Sequence, residues 1–210
     1  RSFVEQGLPA EKIKVIQYGG RLERFTRTGA PPEVCFQVRF AGSVGLRKGV
    51  PYLLEAFAKV SHPRKRLRIV GAIQPDIKTV LGSLPLDDVE FLGVVKQDRL
   101  AELMSTSHLM VLPSLEQGLA LVQGQPLACG CPVLCSTNTG GEDLFTDGVE
   151  GFIVPIRDIA ALTEKMQQIA DDPALQSRMS EAALQRVKTI GGWSDYGEKW
   201  ETFLTELTAN

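Results

Sequence analysis

No stretch of the chain offers the ~18 uninterrupted apolar residues that a membrane-spanning helix requires, and no excess of positive charge attracts a polyanion. The 23 Lys and Arg residues stand against 25 Asp and Glu, a net charge of −2, so nucleic acid is not an expected partner and an anionic ligand must be held by a local positive pocket. Cysteine is scarce. Cys35, Cys129, Cys131 and Cys135 lack the paired CxxC-and-histidine spacing of a zinc site, and three of them crowd into one helix-to-strand segment where mutual bridging is awkward. Reduced thiols in a cytoplasmic setting fit that pattern. The two histidines are His62, in a proline-flanked basic loop, and His108, at the head of an apolar strand. Neither has a partner at metal-ligand or triad spacing, so no chemistry is assigned to them and no metal is expected. There is also no initiating methionine and no charged-then-apolar leader, which is the expectation for a piece of a longer polypeptide.

What is present is ordinary for a soluble globular domain: 210 residues, 43% hydrophobic and 23% charged, enough to bury one sizeable core. Lys14–Tyr18 reads as a short strand before Gly19-Gly20, and the charged, proline-ended stretch to Pro32 reads as linker, so the compact domain is expected from about Val34. Apolar runs then recur at Val34–Ala41, Arg66–Val70, Val89–Leu92, Leu109–Leu112, Pro132–Cys135 and Gly151–Val154. Runs without polar alternation, such as Leu109–Leu112, are buried on both faces. Helical spacing separates them, in Val50, Leu53, Leu54, Phe57 and Val60, in Leu100, Leu103 and Met104, and in Leu119, Val122, Pro126 and Leu127. This β-α-β-α rhythm predicts an α/β fold with a doubly wound parallel sheet. After Pro155 only helices follow, over Ile159–Ala170, Pro173–Lys188 and from Ser194 onward. In the last, Tyr196, Trp200, Phe203, Leu204 and Leu207 form one aromatic-rich stripe, which packs either on its own domain or on another.

Ligands of such sheets gather beyond the strands' carboxyl ends. There, Gly42-Ser43-Val44-Gly45-Leu46-Arg47-Lys48-Gly49 places glycines and two cations ahead of a helix, which suits a phosphate cradle or simply a tight βα turn. It has neither the spacing of a dinucleotide fingerprint nor the GK[ST] ending of a P-loop. Pro113–Leu121 ends a strand and opens a helix expected from Gly118 to about Cys129, with Pro126 straining its interior. Gln117 and Gln125 then lie two turns apart on one side of it, facing one ligand or forming a cap beside a solvated polar face. Thr137–Asp143 is either an anion-holding turn or a plain one.

Taken together, Lys12–Gly20 with Arg24-Phe25, Phe40-Ala41-Gly42 with Lys48-Gly49, Ile69-Val70-Gly71, Phe91-Leu92-Gly93, Leu112-Pro113-Ser114, Ala128-Cys129-Gly130 with Pro132-Val133, and Asp147-Gly148 with Gly151-Phe152 resemble the C-terminal domain of the group 1, or family 4, retaining glycosyltransferases. These are built as two facing Rossmann-like domains, the GT-B architecture. The resemblance spans nearly the whole chain. It implies an interdomain segment and linker over 1–33, a nucleotide-sugar-binding domain over 34–192, and a C-terminal helix over 193–210 that crosses back to an N-terminal acceptor domain. The implied partner is a nucleoside-diphosphate sugar, a donor substrate rather than a cofactor, and any peripheral membrane association would come through the other half.

The implied donor site comprises Gly42, Ser43, Arg47, Lys48, Gly71, Val95, Gly118, Leu119, Ala120, Leu121 and Gln125, with Lys48 and Gln117 at the reacting centre. The base is expected near Gly93–Val95, the ribose on Gln125, and the diphosphate at Lys48 and the Gly118–Leu121 helix start. Two departures from the family pattern stand out. Its E-x7-E glutamates are here Gln117 and Gln125, which hydrogen-bond hydroxyls but supply no negative charge to an oxocarbenium-like transition state. Its arginine after the first-strand glycine is here Ser43, so a fixed bidentate fork is lost. A noncatalytic module with a degenerate donor site is the alternative reading. An epimerase or phosphorylase-like enzyme is a further one, disfavoured for the epimerase by the lack of a carboxylate pair.

Overall fold

The computed structural model describes residues 2–16, 22–117 and 121–208. The six apolar runs form six strands: β1 (Phe36–Ala41), β2 (Lys65–Val70), β3 (Val89–Gly93), β4 (Leu109–Leu112), β5 (Val133–Ser136) and β6 (Gly151–Val154). They make one sheet in the order β3-β2-β1-β4-β5-β6, and every pairing is parallel. Runs without polar alternation are the signature of strands covered on both faces, and β4 and β5 are buried at every position. The helices are α1 (Ser2–Glu5), α2 (Val50–Lys59), α3 (Pro75–Leu81), α4 (Gln97–Ser105), α5 (Gly124–Ala128), α6 (Ile159–Asp171), α7 (Pro173–Val187) and α8 (Trp193–Thr208). α2 packs with α6, and α5 packs with α4 and α7. Those are the two helix layers that a sheet wound both ways from β1 requires. α2 shows the local logic: Gly49 at φ +69 turns the chain, Pro51 opens the first turn, and Val50, Leu53, Leu54, Ala56 and Phe57 are buried.

Three expectations about extent are corrected. The compact unit spans Leu22–Ile190, and Arg1–Arg21 group with Gly191–Asn210 as a second unit, so the domain opens about a dozen residues before Val34. Phe25 is buried in the core, Thr28 N donates to Ser105 Oγ at 3.1 Å, and Ser105 Oγ donates to Thr26 O at 3.3 Å. Those contacts hold the presumed linker against the domain. Lys14–Ile16 form no strand, and Gln17 and Tyr18 lie outside the described residues. The helix expected from Gly118 is a 3-10 turn over Leu121–Gln123 continued by α5, with Gly118, Leu119 and Ala120 outside the described residues. Pro126 is therefore only the third residue of α5, where its missing N–H breaks no bond within α5.

Within the second unit, α8 buries none of its described side chains. Trp200, Leu204 and Leu207 are exposed. The rings of Trp193, Tyr196, Trp200 and Phe203 follow one another edge to face, with centroids 5.6, 6.2 and 5.9 Å apart, and Lys14 Nζ lies 5.9 Å from the centre of the Phe203 ring.

His108 proves structural. Its Nδ1 accepts from Gln37 N at 3.0 Å, and burial, then the neighbouring His62, lower its pKa from 6.5 to about 4. The unfolded chain takes up this proton near pH 6.5 while the folded one resists until about 4. Across that window the unfolded state binds more protons, so stability falls as pH falls. Unfolding free energies from urea titrations between pH 7 and 4 are expected to decline by no more than about 1.4 kcal/mol per pH unit from this group. A His108→Gln variant, which keeps an acceptor and cannot protonate, should decline less; equal slopes would remove His108 as the cause.

Candidate functional site

The strand order reverses direction between β1 and β4, and at such a switch point the loops leaving the two strands part to form a crevice. Glycine sets how closely the loops approach. Gly71, at φ +141 after β2, has a backbone so near the β1 loop that an added Cβ would stand 1.8 Å from Gly42 O. Gly42 and Gly71 thus serve as packing points between neighbouring loops. Gly42 N donates to Val70 O at 2.9 Å and Gly71 N to Gly93 O at 2.8 Å, which aligns the ends of β1, β2 and β3 in a row. Val95, at the β3 end, is half-buried and packs against the core.

The β1 loop is fastened on both sides. Towards β2, Val44 N donates to Ala72 O at 2.9 Å and Gln74 N to Val44 O at 2.8 Å, while Leu46 N donates to Asp76 Oδ2 at 3.1 Å. Towards β4, Leu115 N donates to Arg47 O at 2.9 Å, and Arg47 Nη1 reaches Glu116 O at 3.4 Å. Glu116 thus meets Arg47 through its carbonyl oxygen, and its side chain is exposed. At the centre, Lys48 Nζ donates to Gln117 Oε1, joining two residues that are 69 positions apart. The β4 loop in turn leans on the β5 loop: Gln117 N donates to Asn138 O at 2.9 Å, Asn138 Nδ2 donates to Leu115 O at 2.8 Å, and Ser136 Oγ donates to Ser114 O. The Thr137–Asp143 stretch forms two 3-10 turns, Thr137–Thr139 and Gly141–Asp143, and acts here as a buttress.

Ser43, Gly45, Arg47, Lys48, Gln74, Pro75 and Asp76 line a cleft of about 390 Å³, within the range of small-molecule sites. Two adjacent cations and one carboxylate face it. Burial, then the neighbouring Arg47, hold the Lys48 pKa below its ordinary value, so an anion entering the cleft relieves an electrostatic cost already present. Gln74 and Asp76 were missed in the sequence. Their signal was Pro75 opening a helix four residues after the Gly71 strand end.

Gln125 is half-buried, and among the described residues its Oε1 has no hydrogen-bond partner and is shut from water; the same holds for Oε1 of the fully buried Gln123. Gln123 Nε2 donates to Thr139 O at 3.0 Å. The structure thus brings Gly42, Ser43, Arg47, Lys48 and Gln117 into one neighbourhood, with Gly71 packed beside it. Gln125 follows the 3-10 turn that contains Leu121, and the Gly118–Ala120 part of the predicted site lies outside the described residues. Among the described residues no three His, Cys, Asp or Glu side chains gather as metal ligands would.

The family model for glycosyl transferases group 1 matches residues 28–186. A D-inositol 3-phosphate glycosyltransferase of Streptomyces avermitilis is 30% identical over 204 residues, covering 86% of this chain and 44% of that protein. The alpha-D-kanosaminyltransferase of Streptomyces kanamyceticus is 28% identical over 151 residues, 70% of this chain and 39% of that one. The chain thus spans less than half the length of these two relatives. Among solved structures, Anabaena HepE in complex with UDP-glucose superposes with a TM-score of 0.81 at 20% identity, over 98% of this chain and 60% of that one. The C-terminal domain of the group 1 protein LpcC from Francisella tularensis superposes with a TM-score of 0.68 at 15% identity, over 83% of this chain and 95% of that domain. The sheet is therefore the Rossmann-like half of a GT-B architecture.

Proposed function

Since the chain belongs to the glycosyl transferases group 1 family, we propose that it is the nucleotide-sugar-binding half of a retaining glycosyltransferase, which moves a hexose-type sugar from a nucleoside diphosphate to an acceptor held by the rest of a longer protein. The observation that carries this reading is the meeting of Lys48 and Gln117 across the β1/β4 crevice, beside a cleft that also presents Arg47. In the proposed complex the diphosphate lies against Lys48 and Arg47, the base lies towards Val95, and the ribose lies at Gln125. As the glycosidic bond breaks, negative charge gathers on the leaving diphosphate, and two preplaced cations stabilise it there without reorganising. The HepE structure, which holds UDP-glucose on the same fold, supports a nucleoside-diphosphate sugar as the ligand class.

A second reading rests on one observation. Both positions expected to carry a carboxylate are neutral amides, Gln117 and Gln125, which preserve hydroxyl binding more readily than charge stabilisation. On that reading the site binds a nucleotide sugar without turning it over.

Titration calorimetry of this chain with UDP-, GDP- and ADP-sugars tests the proposal. One base is expected to bind, with no sugar transfer by the chain alone, since a lone half cannot bring donor and acceptor together. A folded protein that binds none of them, or that transfers sugar unaided, would overturn the two-domain reading. Donor hydrolysis and transfer by the longer protein then separate enzyme from binding module.

A further inference from the structure

An anion site gains nothing from a carboxylate, yet Asp76 lines the cleft together with Arg47 and Lys48, from the first turn of α3. Its Oδ2 accepts from Leu46 N at 3.1 Å. A Cβ on Gly45 would stand 3.1 Å from Oδ1 and 3.3 Å from Oδ2, so both oxygens lie against the backbone that leads into Arg47. Neither cation pairs with it. Arg47 Nη1 reaches Glu116 O, Lys48 Nζ meets Gln117 Oε1, and among the described residues Asp76 forms no ion pair. Its negative charge therefore acts on whatever anion the two cations draw in.

We propose that Asp76 sets the preference of this cleft for donor over product: its hydrogen bond positions the Arg47–Lys48 loop, and its charge weakens the hold on the more negative of the two ligands. The inference rests on the nucleotide-sugar reading above. When the bond between sugar and diphosphate breaks, its electron pair stays on the departing oxygen, so the product is one charge more negative than the donor. Near neutral pH a nucleoside diphosphate carries about three negative charges and its sugar conjugate about two, because the terminal phosphate loses its last proton near pH ~6. A fixed carboxylate repels the first more than the second. Two cations thus draw in the donor, and the carboxylate beside them favours departure of the spent diphosphate.

The test separates the charge from the hydrogen bond. Asp76→Asn keeps an acceptor for Leu46 N and removes the charge, whereas Asp76→Ala removes both. Thermal unfolding confirms that each variant of the 210-residue chain is folded, and calorimetry measures UDP, GDP and ADP, each beside its glucose conjugate and its nucleoside. Asp76 is exposed, so water screens it and the effect is modest. In Asp76→Asn the nucleoside diphosphate is expected to bind roughly two- to fivefold tighter, the scale of one solvent-screened charge. The sugar conjugate should tighten less, the nucleoside should not change, and added salt should shrink the difference. Asp76→Ala, with its loop unfastened, should bind the diphosphate more weakly than Asp76→Asn does; equal affinities would remove the positioning role. A diphosphate affinity unchanged in Asp76→Asn, or donor and product tightening alike, would sink the proposal. If Lys48→Ala weakens the diphosphate while Asp76→Asn leaves it unchanged, this inference fails and the donor-site reading stands; a folded, unsubstituted chain that binds none of the ligands ends both.

Discussion

Replacing Gly49 with alanine is expected to cost roughly 2–5 kcal/mol of stability and to take nucleotide binding with it. The residue has φ +69, and a non-glycine residue in the left-handed region costs about 1–2 kcal/mol. The larger part is steric. A Cβ on Gly49 would stand 1.9 Å from Pro113 O and 2.7 Å from Pro113 C, backbone atoms at the end of β4 that cannot swing aside as a side-chain tip would, and overpacking of this kind costs about 1–3 kcal/mol or more. Relief would push the β1 loop away from the β4 loop, and Lys48 and Gln117 would part. For a chain of this size the melting temperature should fall on the order of 10 °C. Gly148→Ala is the control, because Gly148 has φ +79 with nothing within 4 Å of an added Cβ and pays only the conformational cost. Urea midpoints that fall equally in the two variants would show that the close approach to Pro113 carries no weight.

Lys48→Ala should weaken nucleoside diphosphate binding roughly ten- to a hundredfold, the scale of a charge-assisted contact of about 1.5–3 kcal/mol, and leave nucleoside binding nearly untouched. The asymmetry follows from placement. Lys48 lines the cleft with Arg47, burial and Arg47 already disfavour its charge, and the base is proposed two strands away at the β3 end. Loss of the ammonium therefore removes attraction for phosphate oxygens and little else. Calorimetry of the diphosphate and the nucleoside on both proteins measures the difference directly, and equal losses would place Lys48 outside the phosphate site.

Much of this protein was legible in its sequence because the signals are local. Each strand is a short apolar run bounded by glycine or proline, and β3, β4 and β6 begin where the pattern placed them. The Asp172 side chain accepts from Leu175 N and starts α7 at Pro173, where the helix was expected to begin. Arg39 was not legible. It sits inside the apolar β1 run, fully buried, with Nε and Nη2 donating to Ser107 Oγ at 3.2 and 3.1 Å and Nη2 to Leu103 O at 3.0 Å. Burial, then Arg68, lower its pKa to about 10. Its partners come from the end of α4 and the turn beyond it, and nothing in the β1 pattern marks them.

The sequence by itself determined the six parallel strands, the helices between them and the loops where a ligand would gather, since periodicity and turn chemistry act over a few residues. Only the tertiary structure decided that the domain begins at Leu22, that Pro126 falls in a first helical turn, and that Asp76 secures the loop of Lys48. It also decided that Gln117 turns its oxygen to Lys48 across 69 positions. Each of these is a contact between chain segments distant in sequence, set by how closely glycine backbones let neighbouring loops approach, and no local pattern encodes that distance.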